Sequence, residues 1–87
     1  MLARSHRLRG QIPSQFFRQA QRKSTPLGLL FYQLDPTLSQ AQIAFIAPKK
    51  TFPTSVARHQ AKRQAAVIVR EKYELFPSGR FVFLLQK

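Results

Sequence analysis

Residues 43–50, IAFIAPKK, and residues 56–63, VARHQAKR, decide how this chain folds. Ile43 and Phe45 alternate with Ala44 and Ile46, the two-residue period of a strand, predicted over Gln42 to Ala47. Pro48 to Pro53 is a connection that carries Lys49 and Lys50. Thr54 or Ser55 can then cap a helix, because a side-chain oxygen accepts a backbone N–H that the first turn leaves unpaired. The helix is predicted from about Ser55 to Tyr73. Ala57, Ala61, Ala65 and Ile68 recur at helical spacing and form a core stripe. Arg58, His59, Lys62 and Arg63 lie on the opposite side, and Arg70, seven residues beyond Arg63, extends it.

Working outward, Leu27 to Leu34 reads as a strand that is apolar on both alternating sets, as in a strand covered on both faces or one that leaves a face for a ligand. Asp35-Pro36 with Thr37 and Ser39 makes a loop. That loop is short, so the strands on either side of it are expected to pair as an antiparallel hairpin. Pro77-Ser78-Gly79 is a turn, and Arg80 to Gln86 is a third strand with Phe81, Phe83 and Leu85 on one face. Near the start, Pro13-Ser14 opens a short helical segment, Gln15 to Arg22, with Phe16, Phe17 and Ala20 on one side. Residues 1–12 read as a flexible basic arm. The order α-β-β-α-β predicts an α+β two-layer sandwich, with helices on one side of a sheet, in one domain spanning residues 1–87.

Charge narrows the function. Fifteen Lys and Arg face three acids, Asp35, Glu71 and Glu74, for a formal net charge of +12. A compact chain so charged repels itself, and a polyanionic partner answers that repulsion. Nucleic acid fits better than a membrane, since no apolar run approaches the roughly 20 residues that span a bilayer. No long apolar stretch follows the basic N-terminus, so export is not expected. Residues 1–23 are nonetheless Arg-rich and acid-free, a composition that mitochondrial transit peptides share. The absence of cysteine leaves no disulfide framework and no thiolate metal site, in keeping with a cytoplasmic protein.

Three groups of residues fit nucleic acid. The row Arg58, His59, Lys62, Arg63 and Arg70 can bridge several phosphates, although a cationic helix side is ordinarily just a solvated one. Phe16, Phe17 and Tyr32 offer faces on which unpaired bases stack, although aromatic residues are more often core. Lys49-Lys50 is a backbone clamp of a common kind. Catalytic sets are poor: His6 and His59 sit among cations, and Glu71 and Glu74 are placed to pair with nearby Lys and Arg. No catalytic residue and no metal ligand is assigned.

Taken in order, these segments resemble the bacterial RNase P protein subunit from about Arg7 to Lys87. The strand ending in Lys49-Lys50 leads to a helix that follows the family's Arg-Asn-Arg-x-x-Lys-Arg pattern. Arg58 takes the first Arg, and Lys62-Arg63 take the closing pair. His59 stands for the Asn, Gln60 for the second Arg, and Ala66 where another Arg is frequent. Arg7-Leu8-Arg9 is similar to the leading basic element, and Pro13-Ser14-Gln15-Phe16 to the start of the first helix. LLFYQLD, residues 29–35, and RFVFLLQK, residues 80–87, match the first and last strands. The family usually continues into a C-terminal helix, so the sequence reads as a short variant without it.

The resemblance implies a fold shared by the RNase P protein and the second domain of ribosomal protein S5, with a left-handed β-α-β crossover. It implies a protein that assists 5′-end maturation of tRNA in an endoribonuclease whose chemistry is carried by RNA. Arg7, Arg9, Lys49, Lys50 and the Arg58–Arg70 row would dock on RNase P RNA. A cleft between the first helix and the sheet, with Phe16, Phe17 and Tyr32, would hold the 5′ leader of precursor tRNA. Mg2+ would be held by the partner RNA, and no small-molecule cofactor or membrane is implied. The alternative is a small structural RNA-binding protein, ribosomal-protein-like, with no part in cleavage. A stand-alone nuclease is disfavoured by the lack of acid-base or metal-binding residues.

Overall fold

The computed structural model describes residues 14–86. The elements are α1 (Ser14–Gln19), β1 (Gln21–Thr25), β2 (Gly28–Leu34), β3 (Ala41–Ile46), α2 (Ser55–Glu71), a single 3-10 turn (Tyr73–Leu75) and β4 (Gly79–Leu85). The four strands make one sheet in the order β1-β2-β4-β3. β1 and β2 are antiparallel, β2 and β4 antiparallel, and β3 and β4 parallel.

The α+β class stands, while the strand pairing differs from the expected hairpin. β2 and β3 do not pair; β4 lies between them. The reason is burial. Phe81, Val82, Phe83 and Leu85 are each at most 4 % exposed, so β4 is apolar on both faces and gains most from the central place. A short loop favours a local hairpin, but two flanking strands bury more of β4 than one. β3, α2 and β4 thus form a β-α-β unit.

Register defines two faces. Leu30 and Tyr32 of β2 stand beside Phe83 and Phe81 of β4, which stand beside Phe45 and Ile43 of β3. This face meets α2: Ala65, Ala66 and Val69 join Leu30, Ile43, Phe81, Phe83 and Leu85 in the main core. Ile68, expected in the core stripe, is 43 % exposed, while Ala66 and Val69 are buried. The helix is therefore rolled from the predicted stripe, toward its 65/66/69 side. Thr54 caps it as expected, its Oγ1 accepting the Ala57 N–H at 3.1 Å. Its far end is tied down where the Tyr73 hydroxyl donates to the Ala41 carbonyl of β3.

The second face carries Leu29 and Phe31 of β2 and Val82 and Leu84 of β4. α1 packs here, its Phe17 ring meeting Phe31 edge-on at 5.1 Å. Phe16 and Val82 are buried outside the main core. The two helices thus cover opposite faces, where the sequence suggested one side. α1 also ends at Gln19, earlier than the predicted Arg22, because Gln21 to Thr25 pair with β2 as an edge strand.

One polar contact closes the sheet at the β2 end. Thr37 donates its backbone N–H (3.0 Å) and its hydroxyl to Asp35 Oδ1, and Arg80 Nη1 donates to Oδ2 at 3.1 Å. The Thr37 hydrogen bonds, then Arg80, hold the Asp35 carboxyl below its ordinary range. A carboxyl depressed on folding contributes stability above its unfolded pKa and loses it as pH falls through the folded one. Denaturant midpoints measured through the acid range should therefore fall less steeply for Asp35→Asn than for the unmodified chain. Identical acid limbs would refute the linkage.

Candidate nucleic-acid interface

The connection from β3 to α2 is built to present cations. The Pro48 carbonyl accepts the N–H of Thr51 at 3.1 Å and of Phe52 at 2.8 Å, folding residues 48–52 into a tight turn. Phe52, 7 % exposed, anchors its end in the core. Lys49 and Lys50 are left exposed on the turn.

α2 continues this surface. Ala61, Gln64 and Ile68 border a shallow groove with Pro26, Leu27 and Gln86, which turns that flank toward the β1–β2 turn. The opposite flank carries His59, Arg63 and Arg70, all exposed, at spacings of four and seven residues. Lys62 is exposed although Val69, two turns along the same side, is buried, so the sheet does not cover the helix at Lys62. Ala66 is 6 % exposed and belongs to the contact with the sheet, not to a gap in the exposed row. Arg58 differs from its neighbours. It is half-buried, and its Nη1 donates to the carbonyls of Phe52 (3.1 Å) and Pro53 (3.4 Å). Arg7 and Arg9 lie outside the described residues.

The aromatic group divides. Phe16 and Phe17 meet at 5.4 Å on α1, as the sequence suggested. Tyr32 lies on the other face of the sheet, stacked on Phe81 at 6.1 Å with its hydroxyl donating to Gln21 Oε1. Strand alternation makes this unavoidable once Phe31 faces α1. A cleft shared by Phe16, Phe17 and Tyr32 is therefore corrected to a surface of Phe17 and Phe31. Arg22 of β1 pairs directly with Phe31 and so flanks that surface, with exposed Arg18 on α1 nearby in sequence. Arg22 was missed because QRKST has no apolar alternation and does not read as a strand, the turn-forming Pro26 before Gly28 being the available signal; Phe31 was placed in its strand but given no site role.

Among the described residues, no group of three His, Asp or Glu side chains comes together to hold a metal, and no helix is long and apolar enough to cross a membrane. The one ion pair among them uses Asp35 and Arg80, which leaves the α2 flank without a bonded acid. A model of the family Ribonuclease P matches residues 2–87.

The chain belongs to the Ribonuclease P family.

It is thus a protein component of bacterial RNase P, an RNA-partnered endoribonuclease of tRNA processing. The match spans the strand, basic turn and helix described above as well as the last strand. No curated protein matches the chain. Membership of this family implies an RNA partner.

Proposed function

We propose that this RNase P protein docks on the catalytic RNA of RNase P through Lys49, Lys50, His59, Lys62, Arg63 and Arg70, and receives the 5′ leader of precursor tRNA on the α1 side of its sheet. The observation that carries this reading is the exposed cationic flank of α2, continuous in sequence with the Lys49-Lys50 turn, in a chain whose family works with RNA. Folded RNA presents rows of phosphates, and long cationic side chains one and two turns apart can bridge them. Unpaired leader bases need flat apolar faces, which Phe17 and Phe31 supply, with Arg22 available for the leader backbone.

In this reading the protein performs no cleavage. Its three acids are Asp35, Glu71 and Glu74, and Asp35 is engaged with Thr37 and Arg80. No group of three potential ligands gathers among the described residues; in this reading the RNA holds the Mg2+, and the protein's cations lessen phosphate repulsion near it. The complex would work in the cytoplasm.

The deciding experiment is cleavage of a precursor tRNA by RNase P RNA at low magnesium, with and without the protein. Stimulated cleavage at the mature 5′ end, and none by protein alone, is expected. RNA that is active at high magnesium yet unmoved by the protein would favour a purely structural RNA binder. The leader surface has its own test. Phe17→Ala should weaken leader-bearing precursor by about 1–3 kcal/mol, the worth of one stacked base, and leave mature tRNA unchanged. Tyr32→Phe, on the other face, should affect neither. Equal losses for both ligands with Phe17→Ala would reduce that ring to core.

A further inference from the structure

Arg58 heads the cationic row in sequence, yet its side chain is turned away from it. The guanidinium folds back along the helix and donates from Nη1 to the Phe52 and Pro53 carbonyls, six and five residues earlier. This position is in the first turn and a half of α2, after the Thr54 cap. A cation there meets the positive end of the helix dipole and is disfavoured unless something holds it. Two carbonyls hold it here. They belong to the segment that closes the Pro48 turn, whose apex is Lys49-Lys50 and whose end is plugged by buried Phe52. The segment is thus fixed at three points: the Pro48 carbonyl, the Phe52 ring and the Arg58 guanidinium.

We infer that Arg58 is a positioning residue: it clips the β3–α2 connection and so aims Lys49 and Lys50 at the RNA, without itself binding a phosphate. The aim of the two lysines rests on the docking surface proposed above; the clip itself does not. With Nη1 committed to two carbonyls and the side chain half-buried, Arg58 has less of its guanidinium open to a phosphate than its exposed neighbours, so it releases fewer counterions when RNA binds. Lys62 and Arg63, both exposed, carry that role.

Two measurements on the full chain test this. In the free protein, hydrogen exchange at the Thr51 and Phe52 amides should be faster in Arg58→Ala, while the Val82 amide in central β4 stays protected. Unchanged exchange at Thr51 and Phe52 would overturn the clip. With RNase P RNA as probe, Arg58→Ala should lower affinity roughly tenfold, the size of one lost charge-assisted bond. Its log–log salt slope should shift by less than about 0.3, against about 0.9 for Arg63→Ala. In a chain already carrying Lys49→Ala and Lys50→Ala, Arg58→Ala should add almost nothing, which general destabilisation would not produce. Additive losses with a full slope change would make Arg58 a phosphate ligand and overturn the proposal. If the unmodified chain fails to bind the RNA at all, the docking reading falls, and the exchange result still decides the clip alone.

Discussion

Replacing Lys62 and Arg63 together with alanine is expected to lower affinity for RNase P RNA roughly 100-fold, as two charge-assisted contacts at about 1.5 kcal/mol each are lost. Both side chains are exposed, and neither takes part in the ion pair of Asp35 and Arg80, so their removal should barely change folding. Each phosphate neutralised releases counterions, so the log–log salt slope should become shallower by about 1.8 for the pair. Binding measured across a salt series by filter retention or fluorescence separates the outcomes. An unchanged slope would remove this flank from the interface. Val56 and Val67, on the outward side of α2, provide the contrast: both are exposed and uncharged, and alanine there should leave the slope alone.

The second large effect is on the fold. Gly28→Ala should destabilise the protein by roughly 3 kcal/mol, combining backbone strain with a forced shift of the neighbouring strand. Gly28 opens β2 with φ at 138°, where L side chains are rarely found. A Cβ there would lie 2.2 Å from the Leu84 carbonyl oxygen of β4. That oxygen is backbone in the central strand, so it cannot swing aside as a side-chain tip would. For a chain of this size the thermal midpoint should drop by about 12–24 °C. Ser24→Ala, on the exposed edge strand, should stay within about 0.5 kcal/mol. A Gly28→Ala protein as stable as the unmodified one would mean that β2 does not approach β4 as closely as described.

Much of the fold is legible in the sequence. The period of two in Ala41–Ile46, the apolar run of Gly28–Leu34, and the Thr54 cap before an alanine-lined helix are local signals, and local signals survive in a linear reading. β1 was not legible, because an edge strand that buries almost nothing needs no apolar alternation. The place of β4 was not legible either, since pairing β2 with β3 through a short loop satisfies the same local pattern. Only the competition for the double-faced apolar strand decides against it. At the site, Lys49, Lys50, His59, Lys62, Arg63 and Arg70 stand exposed as read. Tyr32 and Arg58 do not follow the reading: one lies a single strand position from the aromatic surface and therefore on the wrong face, and the other finds carbonyl partners that a list of charges cannot reveal.

By itself, then, the sequence determined strands β2, β3 and β4, helix α2, the excess of positive charge and the side of α2 that carries it, because these depend on residue type and spacing along one element. The tertiary structure alone decided which strands are neighbours, which aromatic rings share a face and which arginine is already engaged. Those depend on contacts between segments far apart in the chain, where burial of β4 and satisfaction of the Phe52 and Pro53 carbonyls outweigh any local preference.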